Sequence, residues 1–306
     1  MSELRNLLVP VDFSPYSLRA LDLAIALARS TGGEITAIHV APYRSVPVPP
    51  YGGAFFPEEP SAEQRADLIS ALRVFVAPAR EAHVLKEMVL HVGDVEHEIN
   101  RRAASMPADA IVLGTHGHGG FQRLVLGSIT EKVLHKAPCP VLTVPAGVPE
   151  TETAASAGGT IAFGTVLCPV DFSEPSAASV RWATQLAKAG GAKLVLLHVL
   201  EKIPEKDPRA YLHFNMPNYV SFLEVDARER IDALIPAEAK SAGETEQVFR
   251  QGKPHEEIVR LAEERNVGMI VMGVHGRDTI DFSLFGSTTN QVVRHASCPV
   301  LTVRRA

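Results

Sequence analysis

The pattern with the most chemistry in this chain is Gly114-x-x-Gly117, a gap of nine residues, and then the pair Gly127-Ser128. Gly114 follows the apolar run Ala110 to Leu113, where a strand must turn tightly and a ligand could approach the backbone. Glycine suits both needs, because it has no side chain and tolerates positive φ. Gly127-Ser128 opens a helical pattern, and the unpaired N–H groups and dipole of a helix N-terminus favour an anion. Two sets of exposed N–H groups converging on one place suit a polyphosphate. The whole spacing returns at Gly273, Gly276, Gly286 and Ser287. Ser128-x-x-Glu131 also reads as a capping box, so the serine alone is equally explained as a helix cap.

A second set of polar groups ends the first strand of each half. Asp12 and Asp171 stand in the repeated hexapeptides Val9 to Ser14 and Cys168 to Ser173. In an open α/β sheet, ligands sit beyond the carboxyl ends of the strands, where the strand order reverses. A carboxylate there can accept hydrogen bonds from ribose hydroxyls or an exocyclic amine, and it can also cap the following helix. His39-Val40 and His198-Val199 end the second strand at the same edge. Backbone groups of Val40 and Val199 suit an adenine rim, while His39 reads as structural.

One interval, 159 residues, separates Asp12 from Asp171, Gly114 from Gly273, Gly127 from Gly286 and Cys139 from Cys298. A constant interval across all these motifs means two copies of a complete domain. The expected domains are 1–146 and 165–306, joined by a linker at 147–164 rich in Ala, Gly, Thr and Ser. At 306 residues each copy is long enough for its own core.

The elements that must position these residues alternate between strand and helix. In the first half, buried strands are expected at 6–11, 35–40, 84–90, 110–113 and 141–144. Leu18, Leu21, Ile25 and Ala28 fall on one face of a first helix, with Ser14 as its cap and Gly32-Gly33 as its stop. A second helix should run from Ala62 to Ala77 and end or kink at Pro78. A third follows Gly93 and a fourth starts at Ser128. The fold class is therefore α/β: two tandem flavodoxin-like (Rossmann-like) doubly wound domains, each a five-stranded parallel sheet in the order 3-2-1-4-5 flanked by four helices. The proline-rich and aromatic stretches Tyr43 to Pro60 and Glu201 to Val220 leave the sheet on the ligand edge, as lids, docking surfaces or passive loops.

Composition narrows the partners. A net charge of −5 argues against nucleic acid, which wants a basic face. No apolar run reaches the ~20 residues of a membrane span. The strand-like run Leu7 to Val11 leaves little room ahead of it for a signal peptide. Three cysteines, an odd count beside prolines, point to buried filler in a reducing cytoplasm rather than to disulfides. His116 and His118 have no fixed Cys or carboxylate partner in sequence, so no metal site is read there.

Both halves resemble the universal stress protein family in its tandem form. The resemblance rests on V-D-x-S at the first strand, G-2x-G-9x-G-[S/T], and the terminal C-P-V-L-x-V strand, and it covers nearly the whole chain. It implies one ATP site formed by Asp12, Val40, Gly114, Gly117, Gly127 and Ser128. Asp171, Val199, Gly273, Gly276, Gly286 and Ser287 would form a second. It further implies a stress-response regulator or nucleotide sensor acting through an unidentified protein partner, with Mg²⁺ as an optional companion of ATP. Pairing of the last strands, Val141 to Val144 and Val300 to Val303, would make an intramolecular pseudo-dimer and leave a further homodimer open.

The two phosphate loops differ. Residues 115–126 carry Arg123 and no acid, whereas 274–285 carry Arg277 with Asp278 and Asp281. The first half should therefore bind ATP more tightly. A nucleotide-free interaction scaffold remains an alternative reading. So does a slow ATPase or phosphotransferase, although no G-x-x-x-x-G-K-[ST] lysine and no recognisable general base accompany the loop.

Overall fold

The computed structural model describes residues 4–47, 55–115, 126–145, 163–201, 219–236, 245–274 and 286–304. The chain divides into two compact units, Met1–Ile161 and Ala162–Ala306. The first contains β1 (Asn6–Pro10), α1 (Pro15–Thr31), β2 (Glu34–Ala41), β3 (Arg44–Pro47), β4 (Phe55–Glu58), α2 (Ala62–Phe75) and α3 (Ala77–Glu81). It continues with β5 (Leu85–Val92), α4 (Val95–Ser105), β6 (Ala110–Gly114), α5 (Ser128–Lys136) and β7 (Val141–Val144). The second contains β8 (Thr165–Pro169), α6 (Glu174–Gly190), β9 (Lys193–Leu200), α7 (Tyr219–Leu234), β10 (Thr245–Gln251), α8 (Pro254–Glu264), β11 (Met269–Gly273), α9 (Ser287–His295) and β12 (Val300–Val303).

Within the first unit the strands pair in parallel in the order β5-β2-β1-β6-β7. The second repeats this as β10-β9-β8-β11-β12. In each, the chain winds outward from its first strand, then returns to that strand's other side, so the winding reverses between the first strand and the fourth main strand. Inner strands are buried along nearly their whole length, including all five residues of β6 and the six central residues of β9. Helices on both faces explain why these strands are continuous apolar runs rather than alternating ones. The edge strand β5 is different, with Lys86 and Glu87 exposed to water.

α1 begins as its sequence suggests. Ser14 is extended and accepts a hydrogen bond from Ser17 N, Pro15 fills the first turn, and Gly32 closes the helix in the left-handed region at φ 65°. The inward face is only partly the expected one. Leu21 and Ala28 are buried as expected, but Leu18 is 40% exposed and Ile25 half-buried, while Ser17 and Ala24 are buried. The cap sets this phase, because Ser17 Oγ donates back to Ser14 O and turns residue 17 inward. Small residues on that face let α1 lie close to β6. A Cβ on Gly114 would stand 2.8 Å from Tyr16 Cβ.

α2 opens with a capping box between Ser61 and Gln64 and stops at Phe75, with Pro78 placed in the first turn of α3. The stretch from Tyr43 to Pro60 contains an antiparallel β3–β4 pair that no alternation in the sequence signalled. Asp94 caps α4 by accepting from His97 N. Behind that cap the Glu98 carboxylate packs beneath Gly93 and bonds Arg101 and His91 Nδ1.

Two outcomes follow for stability. Gly114→Ala should destabilise the first unit by about 2 kcal/mol, since backbone and Cβ of Tyr16 must shift. Gly32→Ala meets no atom within 4 Å and should cost only about 1 kcal/mol from its left-handed backbone; urea unfolding midpoints separate the two. The hydrogen bond from Arg101 holds Glu98 below the usual carboxylate range, against the opposing effect of burial. Its stabilisation is present above the unfolded-state pKa and is lost as pH falls through the lowered folded value. Glu98→Gln should lower the melting temperature at neutral pH, with the difference closing in acid.

Candidate functional site

The site begins where the central strand stops. The β1–β6 ladder runs only through Leu7↔Ala110 and Leu8↔Ile111. Val11 N donates to Ile38 O on the β2 side, so Pro10 faces β6. Ile111 N donates to Pro140 O, so Val112 faces β1. The next rung would need an N–H from residue 10 to Val112 O, and proline has none. β2 and β6 run on to Ala41 and Gly114 while β1 ends, which opens a crevice at the carboxyl edge. Pro169 does the same in the second unit, where the β8–β11 ladder ends at Leu167↔Ile270.

Val40 lines this crevice with its main chain. Ala41 O accepts from Gly93 N on the β5 side, so the N–H and C=O of Val40 point the other way, past the end of β1. The ladder bond from Val40 N to Val11 O is not made. His39 Nδ1 lies 2.7 Å from Val11 O instead. A carbonyl only accepts, so Nδ1 carries the proton. The second unit matches: Val170 N bonds Leu197 O, Gly252 N bonds Leu200 O, and His198 Nδ1 lies 2.7 Å from Val170 O. Val199 therefore takes the place of Val40.

Asp12 and Asp171 sit directly beyond the two stopped strands. Asp12 Oδ1 accepts from Ser14 N at 2.9 Å. Asp171 Oδ1 accepts from Ser173 N at 3.0 Å and from Ser173 Oγ at 2.6 Å. Each aspartate thus spends one oxygen on the turn into its helix and keeps Oδ2 without a hydrogen bond among the described residues. Phe13 and Phe172 follow in the left-handed region at φ 64° and 65°. Their rings lie on His39 and His198, with centroids 4.5 and 4.7 Å apart.

Gly114 has a different reason for being glycine than the expected one. It is not among the positive-φ residues, and what approaches it is α1: Tyr16 in the first unit, and Pro175 at 2.9 Å from a Cβ on Gly273 in the second. Thr130 Oγ1 bonds Gly114 O at 2.9 Å, and Thr289 Oγ1 bonds Gly273 O at 2.8 Å. Gly127 N bonds Thr115 O at 2.8 Å, and Gly286 N bonds Val274 O at 3.0 Å.

Gly127 and Gly286 are the N-caps of α5 and α9 and offer no side-chain cap. Ser128 and Ser287 are the first helical residues, so the Ser128–Glu131 capping box does not form. A glycine cap leaves the first-turn N–H groups without a side-chain acceptor, in position for an anion. Gly117 and Gly276 lie outside the described residues. So do His116, His118, Arg123, Arg277, Asp278 and Asp281.

The structure thus brings Asp12, Val40, Gly114, Gly127 and Ser128 to the carboxyl edge around one interrupted strand, and their five counterparts around the other. Pro10, Thr130 and the bond made by His39 were not singled out from sequence. Each has an identical residue at the fixed interval (Pro169, Thr289, His198), which is the signal that could have found them. Among the described residues, no group of three or more His, Cys, Asp or Glu is placed to hold a metal. No helix among them is long and apolar enough to cross a membrane.

Two doubly wound units, each with an open switch point and a helix without a side-chain cap beside it, define a tandem α/β protein with the same crevice in each unit. The family model described as "Universal stress protein family" matches residues 3–145 and again 162–304. The chain belongs to the universal stress protein family. A universal stress protein of Mycolicibacterium smegmatis is 28% identical over 315 residues, covering 98% of this chain and 97% of that one. Universal stress protein A homolog 1 of Coxiella burnetii is 31% identical over 147 residues, 46% of this chain and 95% of its own length. The crystal structure of a universal stress protein from Archaeoglobus fulgidus superposes with a TM-score of 0.66 at 24% identity. It covers 99% of this chain and 97% of its own, a likeness of fold.

The site's framework makes two checkable statements. Thr130→Val should cost about 1 kcal/mol by leaving Gly114 O without its donor, read as a lower unfolding midpoint for the first unit. Cys139, Cys168 and Cys298 form no disulfide among the described residues and are buried. Burial pushes the Cys168 thiol up, with the Asp171 charge adding to it. A thiol reagent should find none of the three in the native protein and all three in denaturant.

Proposed function

We propose that each unit binds one adenine nucleotide, ATP with or without Mg²⁺, and that the protein is a stress-response regulator or nucleotide sensor working through a protein partner. The observation that carries this reading is the shared crevice. Among the described residues, it places a main-chain N–H and C=O without partners at Val40, an uncommitted carboxylate oxygen at Asp12 and a helix start without a side-chain cap at Ser128 around one strand end. A donor and an acceptor side by side match the N1 and N6 groups of adenine. A carboxylate matches a ribose diol, and bare helical N–H groups match phosphate. The second unit supplies the same set from Val199, Asp171 and Ser287. Gly117 and Gly276 complete the phosphate loops in this reading.

The domains in this reading are 1–146 and 165–306 with 147–164 between them, in a cytoplasmic protein. The first site is the tighter one. Its loop carries a formal charge of +1 with neutral histidines, against −1 for the second.

Asp12→Asn and Asp171→Asn test this cleanly, because an amide oxygen still accepts from Ser14 or Ser173. Calorimetric titration with Mg-ATP should find two sites in the wild type. Each variant should lose about tenfold affinity at one site, the worth of one charged hydrogen bond. Asp171→Asn, which keeps the first site, should retain the stronger binding. Equal residual affinities would contradict the inequality, and no heat of binding in the wild type would contradict the reading itself.

A further inference from the structure

We propose that His39 and His198 are positioning residues: each occupies the carbonyl that would close the next rung of the sheet, and so keeps the Val40 or Val199 N–H available to a ligand. The ligand part of this proposal rests on the adenine-nucleotide reading above. The rung itself does not.

In a parallel ladder, the bond from Val11 N to Ile38 O is followed by one from Val40 N to Val11 O. Val11 retains its carbonyl, and β2 continues regularly through Val40 to Ala41. Nothing in the local sequence forbids the rung. What stands in its place is His39 Nδ1, 2.7 Å from Val11 O. The ring reaches that carbonyl lying against Phe13, whose left-handed backbone turns the chain away from β2 directly after Asp12. A backbone ladder bond has been exchanged for a side-chain bond, and the displaced N–H faces the crevice.

The second unit makes the same exchange in different surroundings. Phe13 has Phe75 edge-on at 5.8 Å. Phe172 instead has the Arg230 guanidinium 3.9 Å above its ring, and His198 has Phe249 at 6.5 Å. Packing around the imidazole differs between the units while the Nδ1–carbonyl bond is unchanged at 2.7 Å. A histidine kept for shape alone has no need to hold that bond constant. A donor next to an acceptor also discriminates between purines: adenine presents the complementary pair, whereas hypoxanthine presents N1–H and O6, the reverse. The imidazole thus sets base choice as well as affinity.

The experiment follows amide hydrogen exchange of Val40 by NMR in nucleotide-free protein, alongside titration with ATP and ITP. His39→Asn keeps an N–H donor where Nδ1 stands. His39→Leu has none, and His39→Gln, a polar substitute should the leucine variant fold poorly, carries its amide one carbon too far. Val40 should exchange about tenfold more slowly in the leucine and glutamine variants as the rung closes, and remain fast in His39→Asn. ATP affinity at the first site should fall about tenfold in the first two variants, with loss of preference over ITP, and be restored in His39→Asn. Unchanged Val40 exchange in both the leucine and the glutamine variants overturns the proposal. So does an asparagine variant that loses ATP as fully as leucine. Wild-type protein that takes up no ATP while Val40 responds as expected overturns the nucleotide reading and leaves the rung role established.

Discussion

The central strand of each unit ends before its neighbours do, and the rest of the site depends on that early stop. Pro10 and Pro169 lack the N–H that would carry the first strand's pairing with the fourth main strand one rung further. On the other side, an imidazole takes the last carbonyl before the second strand can use it. Asp12 and Asp171 then turn the chain into a helix at once, each binding its own turn through one oxygen. With both rungs withheld, the sheet carries a notch of backbone that is unpaired among the described residues and lined by a carboxylate. An unbroken sheet of the same strands would present no such donors.

Holding the notch open requires rigidity around it, and the helix starts supply it. α1 and α6 press their first turns onto the ends of β6 and β11, so closely that only glycine fits at 114 and 273. Thr130 and Thr289 tie the opposite helices to the same glycine carbonyls. The glycines of the loop pattern therefore have two separate duties. Gly114 and Gly273 admit protein, while Gly127 and Gly286 leave helical N–H groups uncapped for whatever lies outside. Cheap local bonds at a fixed interval thus build the same notch twice on one chain.

Much of this was legible before any coordinates. Buried inner strands are continuous apolar runs, and the caps at Ser14 and Gly32 follow from local backbone chemistry, so residue type alone locates them. The helix break at Pro78 is equally local. Phase was harder: Leu18 points to water because the Ser14–Ser17 cap turns residue 17 inward, a side-chain bond that hydrophobic spacing does not encode. The role of Gly114 is hidden for a related reason, and of the two readings open to Ser128 the structure takes the helix start and not the capping box. Whether a glycine makes room for a ligand or for a neighbouring helix is a tertiary question, and a serine beside a glycine can be cap or first residue with equal propensity. The imidazole bond replaces a regular rung, so no single residue type announces it, and only the return of His39 as His198 at the fixed interval marks the position.

If two notches in one chain hold adenine nucleotide, the nucleotide content of the purified protein, released by denaturation and quantified, shows it most directly. Adenine nucleotide should be found at between one and two per chain, nearer one if the charge difference between the loops governs occupancy. Protein that releases none, and that takes up none when Mg-ATP is added, would contradict nucleotide binding at either notch.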